Sequence, residues 1–279
     1  MWCQDPDHAP ISRSNRSFTV EVGLEYARPA YIEGEYQAAT VQELLLGLGY
    51  KERQAAERTY YAIREDYQGD AKDPTSRMVL NTMNRVYVDE SVLISAPATD
   101  MIEGVLETWA GEQPSVLGNT GFAHIGEALW DTLSTAIMPR SAAFDTSRFS
   151  EGQRPQFKEQ ETWGMLHEWE VAGFGFGKDA DGEKWYAISL FYSDPDAAEA
   201  DASELVHRME TYETVYQDYP EHPFVDMEIV STSYVDYEDG SVLTVRYRAP
   251  GATIPFRGGP HPVIWFELVA ARDLGFLVP

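Results

Sequence analysis

Polar and hydrophobic positions in this chain follow two alternating rhythms, one of period two and one of period three to four, and each change of rhythm predicts a change of element. Phe18 to Tyr36 alternates weakly (FTVEVGLEY, then AYIEGEY) and is rich in Val, Ile, Tyr and Phe, which predicts a strand. Thr40 can cap a helix with Glu43 at its third position, and Val41, Leu44, Leu45 and Leu48 form one apolar stripe before Gly49 ends it. Tyr50 to Glu65 predicts a hairpin with Tyr60, Tyr61 and Ile63 in its second half, and Met78 to Met83 a short helix. Arg85 to Ala96 predicts a strand, and Thr99 or Asp100 caps a helix from Met101 to Ala110 that Gly111 terminates. From Val116 to Met138 the apolar residues Phe122, Ile125, Leu129, Leu133 and Ile137 recur at helical spacing.

The second half repeats the theme. Met165, His167, Trp169 and Val171 share one side of a strand over Trp163 to Gly177, Asp181-Gly182 signals a hairpin turn, and Lys184 to Tyr192 is the returning strand. Asp196 to Tyr216 predicts an acidic helix facing inward through Ala202, Leu205, Val206 and Met209. Phe224 to Arg248 predicts a hairpin turning at Asp239-Gly240, and Val263 to Leu274 a last helix. One strand-to-helix passage occurs twice, at Arg85 to Trp109 (RVYVDESVLISAPATDMIEGVLETW) and at Lys184 to Met209 (KWYAISLFYSDPDAAEADASELVHRM). Together these elements predict an α+β protein of two tandem ferredoxin-like (split βαβ) domains, each an antiparallel sheet with helices on one face. The expected division is a flexible tether at 1–16, a first domain at 17–140, a linker at 141–160 where periodicity is lost, and a second domain at 161–279.

Composition narrows the partners. Twenty-one Lys plus Arg against 46 Asp plus Glu give a formal charge of −25, which repels phosphate backbones and disfavours nucleic acid and anionic lipid surfaces. Purely apolar runs are far shorter than the roughly 20 residues a helix needs to cross a bilayer, so no transmembrane segment is expected. The sole cysteine, Cys3, forms no internal disulfide. It heads a polar, proline-containing stretch, CQDPDHAPISRSN, that reads as a tether. Two readings of Cys3 stand side by side: a lipid anchor at the head of a spacer, and an incidental thiol near a frayed end.

Asn84 to Ala96 with its VLISAP run, the helix Thr99 to Ala110 with the following GEQPS, and the terminal Ala271-Arg272-Asp273-Leu274-Gly275-Phe276-Leu277 resemble a group of bacterial envelope proteins and lipoproteins of uncharacterised function. That resemblance implies a repeated α+β fold and a place outside the cytoplasmic membrane. It implies no catalytic residues.

Motifs that would carry chemistry are absent or better explained by turns. His167-Glu168-Trp169-Glu170 lacks the second histidine of a zinc-protease helix, and His8, His124, His207, His222 and His261 are scattered. Asp179, Asp181 and Glu183 lack the spacing of a calcium loop and read as a hairpin turn, as do Asp236, Glu238 and Asp239. No Gly-x-Ser-x-Gly elbow occurs. The loop from Gly251 to His261, with Arg257, has no phosphate-loop lysine. Gly173, Gly175 and Gly177 alternate with aromatics, the pattern of a strand whose glycines admit a close neighbour. We therefore expect no catalytic, cofactor or metal site. The expected function is a non-enzymatic interaction module of the cell envelope or surface, with Cys3 as its candidate lipid anchor and an unknown protein or glycan as partner. The rivals are an extracytoplasmic hydrolase using paired carboxylates in an interdomain cleft, a subunit of a larger envelope assembly, and, for location, the cytoplasm.

Overall fold

A computed structural model describes residues 16–21, 29–66, 83–115, 118–144, 163–214, 223–224, 227–248, 268–269 and 273–279. The chain folds as two compact units, Met1–Ser115 and Val116–Pro279. Unit 1 is built from β1 (Arg16–Glu21), β2 (Ala30–Gly34), α1 (Ala38–Gly47), β3 (Lys51–Ala55), β4 (Arg58–Ala62), β5 (Arg85–Val88), β6 (Val92–Ala96) and α2 (Thr99–Ala110). Unit 2 holds α3 (Thr120–Ala128), β7 (Ser134–Pro139), α4 (Arg140–Ala143), β8 (Val171–Lys178), β9 (Lys184–Tyr192), α5 (Ala197–Thr211), β10 (Glu228–Tyr237) and β11 (Gly240–Arg248), with a 3-10 turn at Gly275–Leu277.

Both sheets are wholly antiparallel, in the orders β1-β2-β6-β5-β4-β3 and β10-β11-β9-β8-β7. The α+β class and the split βαβ plan are both present. In unit 2, β9 and β10 each pair antiparallel with β11, so they run the same way with β11 between them and α5 joining them. In unit 1, α1 joins β2 to β3, which also run the same way, but three strands lie between them. The doubled passage is correspondingly unequal. Its first copy is a hairpin, because Asp89 Oδ1 accepts from the backbone N–H of Ser91 at 2.8 Å and of Val92 at 2.7 Å and folds the chain between β5 and β6. Its second copy is the single strand β9.

Three further expectations change. The helical spacing read from Val116 to Met138 is real only over α3; Leu133 and Ile137 continue the numerical pattern into β7, which pairs with β8 from Ser134↔Phe176 to Pro139↔Val171. That pairing assigns residues 118–140 to unit 2, so the units part after Ser115 and not within 141–160. Trp163 to Glu170 is irregular and only Val171 onward is strand. The tether 1–16 up to Asn15, residues 145–160 of the expected linker and the helix expected from Met78 up to Thr82 lie outside the described residues; of Val263 to Leu274, Leu268 and Val269 are helical.

Helices cover both faces of each sheet, not one. In unit 1, Val41 and Leu45 of α1 pack with Ile32, Tyr61, Val86, Val88 and Leu93, whereas Ile102 and Leu106 of α2 pack with Tyr60, Val92, Ile94 and Ala96. Because side chains alternate along a strand, β5 and β6 feed both cores, and each fully buried aliphatic contributes about 1.5–3 kcal/mol. In unit 2, Leu205 and Met209 of α5 join Phe174, Tyr186, Ile188, Leu190, Leu243 and Val245, and Ile125 of α3 and Leu129 just after its end join Val171, Ala187, Phe191 and Val242 on the opposite face. The glycines of β8 make the second packing possible. A Cβ on Gly173 would sit 2.3 Å from Ile125 Cγ2, one on Gly175 2.6 Å from Thr132 Cγ2, and one on Gly177 2.2 Å from Trp185.

Candidate functional site

Side chains of possible chemical use gather at three places, each within one unit. In unit 2, α3 begins at Asn119, whose side chain accepts from the Gly121 N–H, and presents His124 one turn later. The His124 ring stacks on Tyr237 at 3.6 Å, and its Nε2 pairs with Asp239 Oδ1 at 2.9 Å. Thr120 and His124 lower the Asp239 carboxyl below its usual range. The pair fastens α3 to the β10–β11 turn.

On the other face of that sheet, Asp201 of α5 is nearly fully buried and accepts twice from His167, from the backbone N–H at 2.7 Å and through a 2.7 Å pairing with Nδ1. The hydrogen bond to Asp201, and then its charge, raise the His167 pKa. Tyr192 beside it is pushed well above the ordinary tyrosine value by burial first and the Asp201 charge second. The same helix carries the buried Arg208, which donates to Glu204 Oε1 at 3.0 Å, to the Gly164 carbonyl and to the Val278 carbonyl, and lies 5.1 Å from the Trp163 ring. Trp163 donates to Thr211 Oγ1 and Trp169 to the Leu277 carbonyl, both at 2.8 Å. The irregular run 163–169 and the end of the chain are thus laced to α5 by polar bonds, which explains why it holds one course without strand pairing.

An aspartate that orients a histidine supplies two members of a nucleophilic relay and requires a hydroxyl or thiol at the other ring nitrogen. Among the described residues, neither His124 nor His167 has one hydrogen-bonded there. No three His, Cys, Asp or Glu among the described residues come together to hold a metal ion. Asp179 behaves as a turn: its Oδ1 accepts from the N–H groups of Asp181 and Glu183, and its Oδ2 takes Arg248 at 2.6 Å. Burial opposes its ionisation, but the Glu183 N–H, Arg248 and the Asp181 N–H outweigh that and lower its pKa. His207 lies on α5 and its carbonyl accepts from Thr211 Oγ1. Cys3, His8, His222, His261 and the loop with Arg257 lie outside the described residues.

The third place is on unit 1 and is aromatic. Tyr31 of β2 and Tyr87 of β5 both stand opposite Ile94 of β6, on the face covered by α2. Trp109, in the last turn of α2, meets them edge to face at 6.2 and 5.7 Å and remains 40% exposed. The Arg58 guanidinium lies 4.6 Å from the Trp109 ring. Carboxylates edge this ledge: Tyr31 donates to Glu33 at 3.2 Å, Tyr87 to Asp89 at 3.1 Å, and Tyr60 to Glu103 at 2.8 Å. Burial, and then Glu33 or Asp89, raise the pKa of Tyr31 and Tyr87. No sequence motif marks the ledge, because its members come from four elements.

No protein-family model matches the chain, and no curated protein matches it. Among solved structures it is similar to that of TP0453, from Treponema, with 10% identity and a TM-score of 0.41 over 97% of this chain and 85% of that one. The likeness is too slight to carry fold or function across, so both rest on the geometry above. No helix among the described residues is long and apolar enough to cross a membrane.

Proposed function

We propose that this protein is a non-enzymatic interaction module of the cell envelope, and that the Trp109 ledge is its contact surface for a glycan. One observation carries the reading: the paired acids, histidines and buried arginines are engaged in fastening chain segments, while Trp109 stays exposed between Arg58 and a rim of carboxylates. An indole face stacks on the C–H face of a sugar ring, and carboxylates and a guanidinium accept from and donate to its hydroxyls. A neutral glycan also escapes the repulsion a chain of charge −25 exerts on anions. The envelope location is supported by the Cys3-headed tether and by the sequence resemblance to envelope lipoproteins.

Titration of the chain with short N-acetylglucosamine oligomers, followed at the Trp109 indole N–H by NMR, tests the ledge. A saturable shift that Trp109→Ala abolishes is the expected result; no shift at any ligand concentration refutes glycan binding there. Labelling with a fatty-acid analogue in bacteria expressing the native gene tests the anchor: label on the wild type and none on Cys3→Ser is expected.

A further inference from the structure

We infer that β10 is a docking edge that accepts an extended, cationic peptide segment as an additional strand of the unit 2 sheet. Among the described residues β10 has a ladder partner on one side only, β11, which leaves the outward backbone N–H and C=O groups along its length open to another strand. An unpaired edge is a template for strand addition, and proteins that do not use it blunt it with lysines, prolines, bulges or a short length. β10 is ten residues long (EIVSTSYVDY) and contains no Lys, Arg or Pro. Its single irregularity lies between Ile229 and Ser231, so Ser231 to Tyr237 runs in unbroken register.

The side chains are arranged for a neighbour as well. Thr232 and Tyr234 stand opposite Val245 and Leu243 on the α5 side, and Val235 stands opposite Val242 on the α3 side. Tyr234 and Val235 remain 47% and 50% exposed, so apolar surface flanks the open edge above and below the sheet. An added strand, whose own side chains alternate between faces, would cover both.

Charge selects the occupant. From Met209 to Val245 the chain carries no Lys or Arg. Glu228 and Asp236 lie on the strand, Glu238 in its turn, and Glu199 of α5 accepts from the Tyr234 hydroxyl at 3.0 Å. A second copy of this chain would bring another acidic β10 and another net charge of −25 against the first, whereas lysines or arginines on the incoming strand meet Asp236 and Glu199 on the α5 side. On the α3 side Arg246 and Arg248 of β11, opposite Ser231 and Glu228, are already held by Asp131 and Asp179.

The test uses the full-length, isotope-labelled chain and a short peptide alternating Lys with Val. Two controls accompany it: the same peptide N-methylated at alternate residues, which keeps charge and loses the hydrogen-bonding edge, and a Glu-Val counterpart. The expected result is slowed amide exchange along β10 on adding the Lys-Val peptide, with binding about tenfold weaker for either control and for the Val235→Lys and Tyr234→Lys chains. Equal binding of the N-methylated peptide overturns strand addition, and equal binding of the Glu-Val peptide overturns the charge selection. A peptide-free chain that sediments as a dimer with β10 amides already protected assigns the edge to a second copy and also overturns the proposal. This site lies in unit 2 and the Trp109 ledge in unit 1, so either can fail while the other stands.

Discussion

Two buried arginines do the same mechanical job in the two units with different chemistry. Arg85 of β5 reaches Asp66 Oδ1, Thr99 Oγ1 at 3.0 Å and the Asn84 carbonyl, while Asp66 Oδ1 also accepts the Thr99 N–H at 2.9 Å. One carboxylate therefore caps α2 from outside the helix and holds the guanidinium, and the helix needs no capping side chain at Ala98. Arg208 of α5 has one carboxylate, Glu204, and spends its other donors on two carbonyl oxygens from segments far apart in sequence. In unit 1 the cation is matched by an acid at the end of a helix; in unit 2 its planar fork bridges three stretches of chain. Such a fork cannot be replaced by a point charge.

The comparison is broken most forcefully at Arg208. Arg208→Ala leaves Glu204 without its cation and two carbonyls without donors, and about 3–5 kcal/mol of stability should be lost, as is usual when one partner of a buried pair is removed. Urea denaturation measures the loss. Hydrogen exchange should show 163–169 and 275–279 opening together, and Arg208→Lys should recover less than half. Arg85→Ala should cost less, about 1–3 kcal/mol, because the side chain of Asp66 is one third exposed and keeps its hydrogen bonds to Thr99. An equal cost at the two sites would mean that the acid at the helix start matters as much as the triple bridge.

A second contrast concerns how near a helix comes to its sheet. In unit 2, α3 lies against glycines, and Gly173→Val would drive a side chain into Ile125 and Leu129. Overpacking of that kind costs about 1–3 kcal/mol. Gly126, on α3 with nothing within 4 Å of its absent Cβ, is the control: Gly126→Ala should stabilise by about 0.5–1 kcal/mol through helix propensity. Unit 1 faces its helices with Val, Ile, Leu, Tyr and Ala.

Those glycines were legible as a strand with a close neighbour, and so were α2, α5, β9 and the hairpin turns at Asp181-Gly182 and Asp239-Gly240, because each carries strong local chemistry. Gly111, at φ 79°, ends α2 as its position after the last periodic residue predicts. What failed was periodicity without punctuation. Leu133 and Ile137 keep helical spacing from Leu129 yet lie in or beside a strand, since pairing with β8 outweighs a three-to-four rhythm that a short strand also tolerates. One helix face was expected per sheet because alternation in β5 and β6 is masked when both faces are apolar. The His124–Asp239 and His167–Asp201 pairs join positions 115 and 34 residues apart and leave no local signature. The β3–β4 hairpin was found from its flanking strands despite a turn of Ala56 and Glu57, both at positive φ (45° and 59°). A turn of that hand favours Asn-Gly. The double substitution Ala56→Asn, Glu57→Gly should raise stability by about 1 kcal/mol, read from the denaturation midpoint, whereas the same change should do nothing if strain there is already relieved by Arg58 donating to the Ala56 carbonyl.

The smallest effect separates the units by pH. His167 has its pKa raised by the hydrogen bond to Asp201 and then by that carboxylate's charge; burial works slightly against them, and Asp194 adds to the rise. A histidine whose folded pKa lies above the unfolded value near 6.5 contributes stability that is fully present below that value and lost as pH climbs through the folded one. Unit 2 should therefore weaken as pH rises above about 6.5, the unfolded value, and only modestly, since the His167 ring is half exposed. Unit 1 has no histidine among its described residues, so exchange of its amides in β5 and β6, corrected for intrinsic rate, should not drift over the same range. In His167→Gln the side chain can still donate to Asp201 but does not titrate, which isolates the charge from the bond. If the pH slope of unit 2 survives that substitution, the strap at 163–169 is held by Arg208 and the tryptophans alone, and the His167–Asp201 pair is a bystander to it.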